Sequence, residues 1–257
     1  MMPMKLNVSE AGDGPPLVLL HGLFGAARNL GVLTRAFSAH YRVFALDLRN
    51  HGDSPRGPEM NYAIMARDVA ETLSSLGLSR VRLCGHSMGG KTAMMLALQS
   101  PDLVERLAVM DIAPVSYNHD YSGFVEAMQA IPLTPGLSRG EADQALAASV
   151  KAPPMRAFLL NNLVLGSAPR WRVGLEEIGA NMKNLFRWDD PPGATPYHGP
   201  ALFLCGAESD YVRPDYDAAI RQRFPRAEIT RIQGAAHWLH ADKPEQVIAA
   251  LQEFFVA

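Results

Sequence analysis

Residues 81–91 read Val-Arg-Leu-Cys-Gly-His-Ser-Met-Gly-Gly-Lys. The run Val81–Cys84 is short and mostly apolar, and residues 91–99 follow a helical period. Between them, Ser87 has a glycine two residues away on each side. A serine so placed predicts a sharp strand-to-helix turn. Gly85 and Gly89 permit the tight approach, and the turn holds the hydroxyl clear of the sheet. The helix N-terminus that follows favours developing negative charge. An ordinary structural turn is the bland alternative. The strand–turn–helix setting favours Ser87 as a nucleophile instead.

Similar short apolar runs occur at Leu17–Leu20, Val43–Leu46, Leu107–Met110, Ala201–Cys205 and Ile229–Ile232. Helical patterns such as Tyr62–Leu76 and Lys91–Gln99 lie between most of them. This alternation predicts an α/β fold with a mostly parallel sheet and helices on both faces. Leu6–Ser9 is expected to add an antiparallel edge strand. The alternation breaks between Pro114 and Gly199. Helical periods there (124–131, 141–150, 156–165 and 173–185) are punctuated by prolines, and no strand is evident. One parallel crossover needs only about a dozen residues. The expected organisation is therefore a core of residues 1–113 and 199–257, with residues 114–198 inserted as a helical cap.

An attacking serine needs a base. His237 lies in Gly-Ala-Ala-His-Trp (234–238), after the last strand run and before the helical segment Pro244–Phe255. Serine first and histidine last is the chain order of this architecture. His240 competes, but its place against the helix start fits less well. The oxyanion needs backbone donors. His21-Gly22-Leu23-Phe24-Gly25 follows the strand run 17–20 and can turn the Leu23 N–H toward Ser87. The Met88 N–H, next after the serine, is the second expected donor. His21 and His86 are expected to shape the glycine loops. Two aspartates compete to orient the imidazole. Asp111 ends the run Leu107–Met110, and Asp210 follows the run Ala201–Cys205. Position alone leaves them level.

With 257 residues, 48% of them hydrophobic and 19% charged, the chain has the means to form one large core. A net charge of −2 favours neither nucleic acid nor an anionic membrane surface. Cys84 and Cys205, at the ends of apolar runs, are expected to be buried free thiols. The histidines and aspartates are scattered and no HExxH occurs, so neither metal nor cofactor is expected. Met1–Val8 has no long apolar stretch and no segment reaches membrane-span length, which makes a cytoplasmic protein the default expectation.

Several stretches together resemble one family. They are HGLFG (21–25), DLRNHGDSP (47–55), GHSMGGK (85–91) and DIAP (111–114), with Arg-Trp-Arg (170–172) in the cap. They are similar to the YbfF-like bacterial acyl-CoA esterases and their mitochondrial relatives among the α/β-hydrolases. The resemblance covers most of the chain. It implies an α/β-hydrolase fold, a helical cap over the pocket, and esterase or thioesterase activity. In most α/β-hydrolases the acid follows the next-to-last strand, where this chain has Ser209 and, one residue late, Asp210. In the YbfF-like group the acid follows the earlier strand. That implies Asp111 as the acid and Ser209 as part of its hydrogen-bond network. The presence of Asp210 beside Ser209 departs from the pattern.

The expected substrate is a small ester, or an acyl-CoA thioester. Residues 151–187 carry six basic side chains and two acidic ones. They would attract CoA phosphates, or simply form a solvated face. Met155, Phe158, Leu159 and Leu163 would line an acyl pocket, or simply form the core of the cap. A C–C bond hydrolase, a perhydrolase and a non-catalytic binding module are the competing functions. A dehalogenase is disfavoured because the elbow carries Ser rather than Asp.

Overall fold

The computed structural model describes residues 4–256, so Met1–Pro3 of the stretch read for a leader lie outside the described residues. Among the described residues, nine strands form in chain order. They are β1 (Val8–Ala11), β2 (Pro16–Leu20), β3 (Arg42–Leu46), β4 (Val81–His86), β5 (Val104–Met110), β6 (Leu163–Val164), β7 (Arg170–Trp171), β8 (Ala201–Gly206) and β9 (Ala227–Ile232). The helices are α1 (Gly31–Phe37), α2 (Tyr62–Ser75), α3 (Met88–Gln99), α4 (Ser122–Gln129), α5 (Arg139–Leu146), α6 (Pro153–Leu159), α7 (Leu175–Ala180), α8 (Met182–Phe186), α9 (Asp217–Arg223), α10 (Leu239–Asp242) and α11 (Pro244–Val256).

Seven strands make one sheet in the order β1-β3-β2-β4-β5-β8-β9. Only β1 runs antiparallel, pairing with β3 along the sheet edge. Side chains alternate between the two faces of each strand. Leu17 and Leu19 of β2 pack with Leu33 and Phe37 of α1 and with Leu251 and Phe255 of α11. Val18 and Leu20 face the other way, with Met65 and Val69 of α2 and Met94 of α3. Both faces are covered, which is why these strands read as unbroken apolar runs.

The strand order brings distant segments together. β5 and β8 are hydrogen-bonded neighbours, with Met110 opposite Leu204, although 90 residues separate them in sequence. Those intervening residues hold α4 to α8 and a small antiparallel ribbon of β6 and β7. The ribbon corrects the expectation of a strandless insertion. Strands of two residues are too short to set up an alternating pattern. The helical period read over 173–185 is also divided, into α7 and α8.

The insertion is tied to the loop after β3. The Gly174 N–H donates to the Asn50 carbonyl at 2.7 Å. Asn181 Nδ2 donates to the Pro58 carbonyl at 2.7 Å, and Arg56 donates to the Trp171 carbonyl at 2.9 Å. That loop is itself braced by a buried ion pair, Arg49 Nε to Asp68 Oδ2 at 2.5 Å and Arg49 Nη2 to Asp68 Oδ1 at 2.9 Å. Such a pair fixes geometry more than it adds stability, because desolvation offsets much of the attraction.

Cys84 and Cys205 are buried free thiols. Burial pushes both up to about 12, so neither is a thiolate near neutral pH. Among the described residues, no helix is long and apolar enough to cross a membrane.

Candidate active site

Among the described residues, four non-glycine positions have left-handed backbone: Phe24, Asn50, Ser87 and Asp111, with φ of 60°, 64°, 53° and 52°. They sit in the loops that follow β2, β3, β4 and β5 respectively. Strained residues collected at one edge of a parallel sheet mark a functional edge.

Ser87 is the first of these to consider. It combines φ 53° with ψ −118° and caps α3. Its turn needs glycine on both sides. A Cβ at position 85 would lie 2.3 Å from the Gly89 carbonyl oxygen, and one at position 89 would lie 2.4 Å from the Leu20 carbonyl oxygen. Only hydrogen fits in either place.

His237 reaches Ser87 from the loop after β9. Its Nε2 lies 3.0 Å from Ser87 Oγ, and its Nδ1 lies 2.7 Å from Asp111 Oδ2. Asp111 is fully buried. Its Oδ1 accepts from the Gly206 N–H at 2.8 Å, and its Oδ2 also accepts from Ser209 Oγ. The carboxylate therefore faces three donors and nothing else is asked of it. Asp210 is exposed and makes no hydrogen bond with His237. His240 is buried in α10 with its ring against His86, 4.7 Å between centroids. Ser87 Oγ is hydrogen-bonded to His237 and not to His240.

Leu23 and Met88 line the space beside Ser87. Neither backbone N–H finds a protein acceptor among the described residues. Backbone donors left free beside a hydroxyl can receive a developing oxyanion. Chemically, the arrangement can move a proton from Ser87 to His237 while a negative charge forms between these two amides.

Buried histidines frame the loops. His21 accepts from the Leu48 N–H at Nε2, 2.9 Å, and places Nδ1 2.8 Å from the Gly22 carbonyl. His51 accepts from the Phe24 N–H at Nε2, 3.1 Å, with Nδ1 2.9 Å from the Arg49 carbonyl. Each ring has one acceptor and one donor nitrogen, so each is neutral. His86 Nε2 donates to the His237 carbonyl at 2.8 Å and steadies the loop that carries His237. Asp47 braces the same region by accepting from the Ala27 N–H at 2.7 Å and the Asp53 N–H at 2.9 Å.

Burial pushes His51 down to about 3 and His240 to about 4, and holds His21 and His86 below the ordinary range. A lowered folded-state value means that the unfolded chain binds the proton first. The stability these rings contribute is whole above about pH 6.5 and is lost as pH falls toward the folded values. Unfolding stability should therefore drop steadily between neutral pH and pH 4. For His51→Gln the slope should be shallower by up to roughly 1.4 kcal/mol per pH unit. Urea titrations at several pH values measure this. An identical slope in the variant would show that His51 is not held neutral.

Other contacts carry no sequence signal that singles them out. The Tyr211 ring stacks on His237, 3.9 Å between centroids and 20° between planes, and its hydroxyl meets that of Tyr121. Leu23, Ser87 and Tyr121 stand between two spaces. The first holds about 570 Å³ of empty volume, partly open to solvent, and is lined by His237, Trp238, Phe124, Met155 and Phe158 among others. The second has about 350 Å³ of empty volume, also partly open to solvent, and is lined by Lys91 and four tyrosines among others. Leu159 is instead buried in the core. Three of the basic residues in 151–187 pair with acids: Arg156 with Asp143 at 2.9 Å, Arg187 with Asp189 at 2.6 Å and Arg172 with Asp53 at 3.9 Å. Among the described residues, no group of three or more His, Cys, Asp or Glu side chains is placed to hold a metal ion.

A doubly covered parallel sheet with a serine elbow at its functional edge defines an enzyme of the serine-hydrolase type. The chain belongs to the alpha/beta hydrolase fold family, which matches residues 15–244. It is 40% identical over 264 residues to the sn-1-specific diacylglycerol lipase ABHD11 of Mus musculus, covering 98% of this chain and 85% of that one. It is 34% identical to Esterase YbfF of Escherichia coli, covering 98% and 99% of the two chains. Among solved structures, a marine microorganism esterase superposes with a TM-score of 0.93 at 35% identity, covering 98% and 99%.

Proposed function

We propose that the protein is a serine carboxylesterase that cleaves small carboxylic esters through an acyl-enzyme on Ser87, and that acyl-CoA thioesters are within its range. The observation that carries this reading is the unbroken line from Ser87 Oγ through His237 to Asp111 Oδ2, at 3.0 and 2.7 Å. The line opens on a cleft lined largely by apolar side chains. Relatives named as an esterase and a lipase support ester cleavage.

His237 Nε2 accepts the Ser87 proton as Oγ attacks the carbonyl carbon. Asp111 holds the imidazole in the productive tautomer and stabilises the imidazolium, with Ser209 and Gly206 fixing the carboxylate. The Leu23 and Met88 amides receive the oxyanion, and one such donor contributes about 3 kcal/mol. His237 then protonates the departing alcohol or thiol. Water repeats the sequence to release the acid. Residues 114–198 act as a cap whose Tyr121, Phe124, Met155 and Phe158 exclude water from the acyl transfer.

A panel of p-nitrophenyl esters from acetate to octanoate tests the esterase reading, and turnover is expected. Acyl-CoA is expected to compete with those esters. Turnover with no competition from any acyl-CoA would remove thioesters from the proposal. No turnover of any ester would overturn it altogether.

A further inference from the structure

Lys91 lies one helical turn after Ser87, and its N–H donates to the Ser87 carbonyl at 3.0 Å. Positions so spaced lie along one face of the helix. The side chain is only 1% exposed, and it lines the second space beside Ser87. A buried ammonium ordinarily has a carboxylate partner. Here no carboxylate lines that space. Lys91 Nζ has the Phe186 and Arg187 carbonyls at 3.5 and 3.4 Å, near the limit for a hydrogen bond. It also sits 4.7 Å from the centre of the Tyr117 ring and 5.2 Å from that of Tyr62. These contacts soften the loss of water but supply no counter-charge.

The two spaces are not equivalent for ester cleavage. His237 must protonate the leaving group, so that limb has to lie beside its ring. His237 and Trp238 border the first space and not the second. The alcohol or thiol limb therefore occupies the first space, and the acyl limb extends past Leu23 and Met88 toward Lys91.

We propose that Lys91 makes this chamber a subsite for acyl groups ending in a carboxylate, so that half-esters of short dicarboxylic acids are preferred substrates. This rests on the esterase reading and adds an acyl specificity to it. Five aromatic side chains (Tyr62, Tyr117, Tyr121, Phe186 and Tyr211) and Leu185 wall the space, and such low-polarity surroundings strengthen a charge-assisted contact.

Burial lowers Lys91 to about 7, so its charge is half lost near neutral pH in the empty site. His119 packs against the Tyr117, Phe186 and Tyr211 rings and is not among the residues that line the space. Burial pushes the Tyr62, Tyr117 and Tyr211 hydroxyls up, which keeps them neutral, and Tyr121 is a further phenol on the wall. Asp68 of α2 is held by Arg49. Asp111 is held by His237, Ser209 and Gly206. Lys183 of α8 and the Arg187 guanidinium are exposed.

The test compares ethyl hydrogen succinate, glutarate and adipate with ethyl pentanoate and ethyl hexanoate. The readout is the ratio of kcat/KM for the half-esters to that for the neutral esters, in the unaltered enzyme and in Lys91→Met. The ratio should favour the half-esters and fall at least about tenfold in the variant, the effect of roughly 1.4 kcal/mol. In the unaltered enzyme it should also decline as pH rises through about 7, because the free-enzyme ammonium is lost there. Any pH dependence common to both substrates cancels in the ratio. That pH profile needs no variant, so it stands even if Lys91→Met does not fold. Turnover of neutral esters with a ratio that is independent of both pH and residue 91 would overturn the Lys91 subsite and leave the esterase intact. Loss of both substrate classes in the unaltered enzyme would overturn the esterase reading itself.

Discussion

Replacing Ser87 with Ala is expected to lower kcat on a carboxylic ester by a factor on the order of a million, following the behaviour of serine nucleophiles that act as a unit with their base. The argument is geometric. Oγ is the only atom removed, and it is the atom 3.0 Å from His237 Nε2. Without it no acyl-enzyme forms, and His237 is left with a water that nothing positions. The Leu23 and Met88 amides remain, so a residual acceleration over solution of roughly a thousand-fold or more should persist. The substitution should not unfold the protein. Alanine meets the same backbone strain at φ 53° that serine already bears, and the side chain is only partly buried. A fluorophosphonate probe should label the unaltered enzyme and fail on Ser87→Ala, while the two melt within a few degrees of each other. A labelled or active alanine variant would place the nucleophile elsewhere and dissolve the proposed mechanism.

Residues local in sequence were the legible ones. The inner strands announce themselves because both faces are covered, and their apolar runs give way to Gly, Asp or His where the chain leaves the sheet, whereas the edge strand β9 exposes Glu228 and Thr230. The elbow is legible because its serine and both glycines lie within five consecutive residues, although the backbone that Gly89 must clear belongs to the distant Leu20 and His21. The short helices α1 and α9 have seven residues each and give too little periodicity to stand out. Position alone could not choose between the aspartates, and only the family resemblance pointed to Asp111. The choice depends on β5 lying beside β8, an adjacency that spans 90 residues and that no local pattern encodes. That pairing sets the end of β5 next to Gly206 and Ser209, and so aims Asp111 at His237. Lys91 was hidden by its own residue type. A lysine in a helical segment reads as solvent-facing, and only the packing of α8 and Tyr117 over α3 shows it to be enclosed.

Asp111→Asn is expected to reduce kcat by about ten thousand-fold, or roughly 5.5 kcal/mol of barrier, whereas Asp210→Asn should leave it within about twofold. The carboxylate at 111 meets three donors: His237 Nδ1–H, the Ser209 hydroxyl and the Gly206 amide. An ionised carboxylate accepts from all of them. An asparagine has one acceptor oxygen and one donor amide. If its oxygen turns to Gly206, its NH2 faces His237 Nδ1 and selects the tautomer with Nε2 protonated, which cannot take the Ser87 proton. If its oxygen turns to His237, its NH2 meets the Gly206 N–H, and a buried donor is left unpaired at a cost of about 1–3 kcal/mol. The first arrangement is the cheaper, because the imidazole can exchange its proton and the peptide cannot. The backbone tolerates the change, since Asn accepts the left-handed region as readily as Asp. The activity loss should therefore appear without a comparable loss of folding stability. Asp210 is exposed, and neutralising it alters no contact of His237. Single-turnover kinetics on both variants separate the two aspartates. A large loss in Asp210→Asn with little in Asp111→Asn would mean that His237 takes its orientation from the later loop during turnover.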